Sequence, residues 1–184
     1  MKNQTTDRSY RYSWQYIIAT WFYSGLIPAA PGTFGTIAAF PLYYLLIMIS
    51  GSLAEIRIWL GTSIVLLTIF GYIAIRRYHE ETGLIDHKSI VIDEVIGILL
   101  TIAISYQWIL PIAIKFAPTD SPHKALLEMF IVATIVFRFF DIRKPFFIRT
   151  IEKSMPNAAG VILDDVLAAI YSSGTLYIIS SVIK

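Results

Sequence analysis

The sequence predicts an all-α fold, a polytopic membrane helical bundle of about five apolar segments preceded by an N-terminal interfacial or re-entrant helix. Three observations predict it. Of 184 residues 56% are apolar and only 15% charged, against about 25% charged in an average soluble domain. No Asp, Glu, Lys or Arg occurs from Tyr12 to Ala54. Ile58 to Ile75, Val95 to Ile114 and Val166 to Ile183 are equally free of charge over 18, 20 and 18 residues. As helices such runs reach about 27 to 30 Å, the hydrocarbon thickness of a bilayer. Inside lipid a helix satisfies its own backbone polar groups, so these runs are expected to be helical.

The elements follow in order. Residues 1–13 form a polar tail whose Lys2, Arg8 and Arg11 precede an apolar stretch, as in a signal peptide, but Pro31 directly after Ala29 and Ala30 argues against cleavage there. Gly25, Pro28, Pro31 and Gly32 interrupt that stretch, so Trp14 to Ile27 reads as an interfacial or re-entrant helix. The first full crossing is expected from about Thr36 to Leu53, with Pro41 in its first turns, where a missing backbone donor costs least. Crossings near Ile58 to Ile75 and Val95 to Ile114 come next. A weaker segment from Leu126 to Phe140 carries Glu128 and Arg138, and Val166 to Ile183 completes the bundle. There is no internal repeat, and the polar connections are too short for a second domain, so residues 1–184 read as one membrane domain.

This arrangement places eleven basic residues on one side (Lys2, Arg8, Arg11, Arg76, Arg77, Lys88, Arg138, Arg143, Lys144, Arg149 and Lys153) and four on the other (Arg57, Lys115, Lys124 and Lys184). The richer side is expected to be cytoplasmic. The same division collects Asp86, Asp93, Glu94, Asp141, Asp164 and Asp165 on that side, each within a few residues of a membrane boundary.

Composition also excludes. A formal charge of +2 gives too little basic surplus for a nucleic-acid partner. With no cysteine, a disulfide framework, a thiolate zinc site and a cysteinyl-phosphate intermediate are ruled out. Trp14, Trp21, Trp59 and Trp108 lie mostly near segment ends and read as interfacial anchors.

The chemistry therefore falls to the acids. Asp93-Glu94 opens one apolar segment, Asp141 closes another, and Asp164-Asp165 opens the last. Each acid at a helix start has a purely structural explanation, the capping of free N–H groups. Two acidic pairs plus Asp141 on one face of the membrane favour Mg²⁺, which prefers oxygen ligands and offsets the repulsion among carboxylates. Arg138 stands three residues before Asp141 on a shared helix face, and Pro145 ends that helix after Lys144. Cations beside a carboxylate cluster suit a phosphoryl group, and Arg138 and Lys144 are assigned that role. Arg143, Arg149 and Lys153 are read as anchors to anionic head groups. The segment Pro28 to Thr36, with Gly32, Thr33, Gly35 and Thr36, reads as a loop whose N–H groups converge on an anion at a helix start, or as a turn that merely redirects the chain. Of the histidines on the acidic side, His79 reads as structural and His87 as lying near the site.

Four ordered motifs then carry a family resemblance: Pro31-Gly32-Thr33-Phe34-Gly35-Thr36; Ser89-Ile90-Val91-Ile92-Asp93-Glu94-Val95-Ile96-Gly97; Phe137-Arg138-Phe139-Phe140-Asp141 with Lys144-Pro145; and Asp164-Asp165. Together, from about Trp14 to Tyr177, they resemble the phosphatidylglycerophosphatase A family of bacterial membrane lipid phosphatases. Two places depart from that pattern: Ile92, where some members carry tryptophan, and Pro156 to Gly160, where members often carry more glycine. The resemblance implies Mg²⁺-dependent hydrolysis of phosphatidylglycerophosphate, in the bilayer, to phosphatidylglycerol and phosphate at the cytoplasmic face of the inner membrane. It also implies metal ligation by Asp93, Glu94, Asp141, Asp164 and Asp165, catalytic roles for Asp93, Glu94, Asp141, Arg138 and Lys144, and substrate binding by Gly32, Thr33, Gly35, Thr36, Arg138 and Lys144.

Attack by a metal-bound water and attack by Asp93 or Asp141 itself both stay open at this level. The leading alternative of another class is a small transporter or channel with intramembrane carboxylates. It does not account for the gathering of all six acids on one side. A lipid phosphotransferase would need spaced Asp residues with Asp-Gly, a pattern this chain lacks.

Overall fold

The computed structural model describes residues 10–84, 87–116, 121–145, 148–150 and 154–183. Among these every regular element is a helix. In order they are α1 (Trp14–Ala19), α2 (Pro31–Ala38), α3 (Phe40–Met48), α4 (Leu53–Thr82), α5 (Ile92–Phe116), α6 (Pro122–Arg143) and α7 (Ala158–Ile183), with short 3-10 turns at Tyr10–Tyr12 and Ser24–Leu26. Four stretches are long and apolar enough to cross a membrane: Pro31–Met48, Leu53–Thr82, Ile92–Lys115 and Ala158–Ile183. Helix α6, the weaker segment, falls outside that group because it carries the charges of Lys124, Glu128, Arg138, Asp141 and Arg143.

Local chemistry sets the helix limits. Helix α4 opens with a reciprocal cap, in which Glu55 N–H donates to Ser52 Oγ at 3.2 Å while Gly51 N–H donates to Glu55 Oε2 at 2.8 Å. It ends at Gly83, whose φ of 70° is left-handed and whose N–H donates to His79 O at 2.8 Å. Its 30 residues, about 45 Å at the helical rise, exceed a bilayer core. The surplus carries the ion pairs of Arg76 and Arg77 with Glu80.

Helix α5 is the centre of the bundle. Its apolar window is 56% buried against 22% for α4, and it touches α2, α4, α6 and α7. In lipid, helices associate through close packing rather than through the exclusion of water, which favours small residues at crossings. Gly97 of α5 is such a point. A Cβ there would collide with the Phe137 ring of α6 and approach Asp165 Cβ of α7 to 3.3 Å.

Contacts at the helix ends tie the long helices together. Lys115 Nζ donates to Ile183 O at 3.2 Å, Tyr43 OH donates to Leu126 O at 3.2 Å, and Tyr44 OH lies 2.6 Å from His123 Nδ1, which gathers one end. The opposite end joins the C-termini of α4 and α6 to the N-termini of α2, α5 and α7. Among the described residues, Asp93, Glu94, Asp141, Asp164 and Asp165 therefore gather at one end of the bundle, as their place in the sequence predicts.

Several expected boundaries move. The first crossing runs from Pro31 to Met48 rather than from Thr36 to Leu53, and it is broken at Ala39. Pro41 has no N–H for the helix ladder and its ring crowds the carbonyl four residues back. Trp21 Nε1 takes the Ala38 carbonyl at 2.9 Å. The stretch Trp14 to Ile27 is not one helix: α1 stops at Ala19, and Trp21, Phe22 and Tyr23 are left-handed with φ of 43°, 53° and 66°. Tyr10, assigned to the polar tail, is buried edge-on against Tyr16 and Tyr78. Burial raises the hydroxyl pKa of both Tyr10 and Tyr16 above the ordinary tyrosine value, so both stay neutral.

Candidate active site

The expected opening of the last helix at the acidic pair is also corrected. Helix α7 starts at Ala158, and its cap is Asn157, whose Oδ1 accepts from Ala159 N–H at 2.9 Å and Gly160 N–H at 3.1 Å. Asp164 and Asp165 therefore lie almost two turns inside the helix, and capping does not explain them. Both are buried, at 7% and 3% exposure. Asp93 and Glu94 do occupy the first turn of α5, as expected.

Asp93, Glu94 and Asp165 converge. One carboxylate oxygen from each lies within 4.8 Å of the others. Asp93 Oδ1, Glu94 Oε2 and Asp165 Oδ2 are buried and have no hydrogen-bond partner among the described residues. Buried carboxylate oxygens without donors are costly, and three of them together repel one another. An oxygen-only donor set of this kind fits a hard divalent cation such as Mg²⁺.

The remaining two acids are paired with cations. Arg138 Nη1 contacts Asp141 Oδ2 on its own helix and Glu94 Oε1 across the bundle at 3.6 Å. Lys144 Nζ donates to Asp164 Oδ2 at 2.7 Å. Lys144 closes α6 in a left-handed conformation, with φ of 40°, and its N–H returns to Phe140 O at 2.8 Å. That geometry costs a non-glycine residue roughly 1 to 2 kcal/mol. The structure thus separates the five acids expected to share metal into a cluster of three and two cation-paired partners.

A cavity of about 260 Å³ contains this arrangement. Asp93, Glu94, Asp141, Asp164 and Asp165 line it with Arg138 and Lys144, together with Lys88 and His87 from the loop before α5 and with Ala30, Pro31 and Gly32 at the start of α2. Five carboxylates face three fixed cations there, an excess of two formal negative charges. His87 fulfils its expected position. Ser89 N–H donates to its Nδ1 at 3.3 Å and Tyr78 OH lies 3.1 Å from the same atom. Nδ1 is thereby the acceptor, and a neutral ring carries its proton on Nε2. Lys88 is a lining residue that sequence reasoning missed, although its place directly before the Ser89 to Gly97 motif was a usable signal.

The expected anion-binding loop is corrected in part. Residues 31–38 are helical, preceded by a left-handed Ala30 with φ of 50°. Gly32 belongs to the cavity wall, and a Cβ on it would collide with Glu94 Oε1 and lie 3.0 Å from the Arg138 guanidinium nitrogens. The N–H groups of Gly32 and Thr33 stand in the first turn of α2, where no helical carbonyl is available to them. Gly35 instead abuts Val91, and Thr36 Oγ1 donates to Gly32 O at 2.9 Å within its own helix. Thr33, Gly35 and Thr36 are not cavity-lining residues. His79, Arg143 and Arg149 also stand outside the lining, and Arg143 rests 5.9 Å over the Phe139 ring. Asp86 and Lys153 lie outside the described residues.

Helices of membrane length with a carboxylate-and-cation cavity at one end define a helical membrane protein whose polar site lies at its rim. No solved structure matches the chain. The sequence profile of the phosphatidylglycerophosphatase A family matches residues 17–180, and the chain belongs to that family of lipid phosphatases. A phosphatidylglycerophosphatase A of Haemophilus influenzae is 35% identical over 161 residues, covering 85% of this chain and 83% of the relative. That of Escherichia coli is 30% identical over 168 residues, covering 89% and 82%. A protein of Bacteroides thetaiotaomicron, provisionally named a phosphatidylinositol-3-phosphatase, is 31% identical over 163 residues, covering 85% and 87%.

Proposed function

We propose that the protein hydrolyses the terminal phosphate monoester of phosphatidylglycerophosphate, at the cytoplasmic face of the bacterial inner membrane, with Mg²⁺ held by Asp93, Glu94 and Asp165. The observation that carries the reading is the convergence of three carboxylates from α5 and α7, each with a buried oxygen that has no hydrogen-bond partner among the described residues, in a cavity that also holds Arg138 and Lys144. When bound, Mg²⁺ supplies Lewis acidity at a phosphoryl oxygen and neutralises the excess of negative charge.

The chain supplies the rest. Arg138 bridges Glu94 and Asp141, and its planar fork turns toward phosphoryl oxygens while those acids hold its orientation. Lys144 offers a second cation, steadied by Asp164. The free N–H groups at the start of α2 add dipoles of the same sign. In the net reaction a water oxygen joins phosphorus, the phosphorus–oxygen ester bond breaks, and the glycerol oxygen leaves with a proton. The acyl chains stay in the bilayer throughout, because the cavity lies where the membrane-length helices end.

The test is phosphate release by purified protein in detergent, with Mg²⁺ or with chelator, from phosphatidylglycerophosphate and in parallel from phosphatidylinositol 3-phosphate. Mg²⁺-dependent release from the first, at least tenfold faster than from the second, is expected. Release that persists in chelator would remove the metal from this reading, and preference for the inositol lipid would replace the substrate.

A further inference from the structure

Phosphate chemistry at the rim leaves the hydrophobic end of the substrate without a place, and a second cavity provides one. It encloses about 660 Å³ between α2–α3 and α6. Ile37, Phe40 and Pro41 form one wall, and Leu127, Ile131 and Ile135 form the other at a four-residue spacing, one continuous stripe of α6. Phe40 meets Phe130 edge-to-face at 5.1 Å. No charged residue lines the groove, although α6 itself carries Glu128, Arg138 and Asp141.

We propose that this groove holds an acyl chain of the lipid whose phosphate occupies the acidic cavity, an assignment that rests on the lipid phosphatase reading above. Helices α2 and α6 contribute to both sites. Ile135 is three residues from Arg138, about 4.5 Å along the axis, and Ile37 is five residues from Gly32, about 7.5 Å. From Ile135 to Leu127 the stripe descends about 12 Å, close to the roughly 15 Å depth of one leaflet. A phospholipid has this layout, anionic at one end and apolar over the depth of a leaflet. Thr134 stands in the groove wall one turn before Arg138, and its Oγ1 is buried with no hydrogen-bond partner among the described residues.

Two experiments test the groove. In the first, Ile131→Trp and Ile135→Trp fill it, and kcat/KM is measured on dioleoyl and on dibutanoyl phosphatidylglycerophosphate. The ratio of long-chain to short-chain kcat/KM is expected to fall at least tenfold, and an unchanged ratio in a folded variant would overturn the assignment. Loss of phosphate release from both lipids by the wild type would instead overturn the phosphatase reading. In the second, the unaltered protein in phosphatidylcholine nanodiscs is photolabelled with phosphatidylglycerophosphate bearing a diazirine on one acyl chain. Adducts at Ile37, Phe40, Ile131 or Ile135 are expected, reduced at least fivefold by unlabelled phosphatidylglycerophosphate and not by added phosphatidylcholine. Adducts confined to the α4 face of Ile69, Phe70 and Ile73, equal competition by phosphatidylcholine, or cross-links between two copies at the groove would each refute it.

Discussion

Lys144 and Asp164 form a 2.7 Å ion pair that fastens the end of α6 to the second turn of α7. Lys144→Met takes a cation away from a buried carboxylate. The loss is expected at about 1 to 3 kcal/mol, below that of a fully buried pair because Lys144 is 24% exposed. Thermal unfolding in detergent of Lys144→Met, Asp164→Asn and the double variant measures it. The double variant should lose less than the two single losses added, and strict additivity would mean that the pair contributes nothing as a pair.

Asp93 and Asp165 belong to different helices, so the cation they are proposed to share has a readout that needs no substrate. Binding of Mn²⁺, followed by its paramagnetic resonance, should weaken at least about tenfold in Asp93→Asn and in Asp165→Asn. Phosphate release should fall by about a hundredfold or more in both. Undiminished Mn²⁺ binding in both variants would dissolve the proposed three-carboxylate site.

Gly32 is tight against Glu94 and Arg138. In Gly32→Ala the added methyl must push one of these charged groups out of place, while alanine itself suits a helix better than glycine. A loss of phosphate release of about tenfold or more is expected, with a melting temperature within a few degrees of the wild type. Wild-type activity in this variant would show that the contact has no bearing on the chemistry.

Gly97 sets the separation of α5 from α6. Gly97→Ala forces its methyl into the Phe137 ring and should cost about 1 to 3 kcal/mol as an overpacked contact. Adding Phe137→Leu should recover part of that loss. Without any recovery in the unfolding curves, the crossing of these helices must be set elsewhere.

Much of this was readable in the chain alone. Charge is excluded from lipid one residue at a time, so the uncharged runs marked the membrane helices, and the short connections between them sorted Asp93, Glu94, Asp141, Asp164 and Asp165 to one end. The four motifs likewise pointed to the residues that line the cavity, apart from Ala30, His87 and Lys88. Other features depend on how helices turn toward one another. Asp164 and Asp165 sit inside α7 because they face α5 and α6 instead of lipid, and a linear pattern does not say which way a helix face points. The break at Ala39 needed Trp21, distant in sequence, to take the Ala38 carbonyl.

The sequence by itself determined which residues enter the membrane, which end carries the acids, and the family to which their order is similar. Only the tertiary structure decided that three carboxylates meet while two others bind Arg138 and Lys144, that α2 is a helix rather than a loop, and that an apolar groove adjoins the polar cavity. The physical reason is range. Burial and helix formation are set by neighbours along the chain, whereas the meeting of Asp93 with Asp165 is set by the rotation and spacing of whole helices, fixed at crossings such as Gly97 against Phe137.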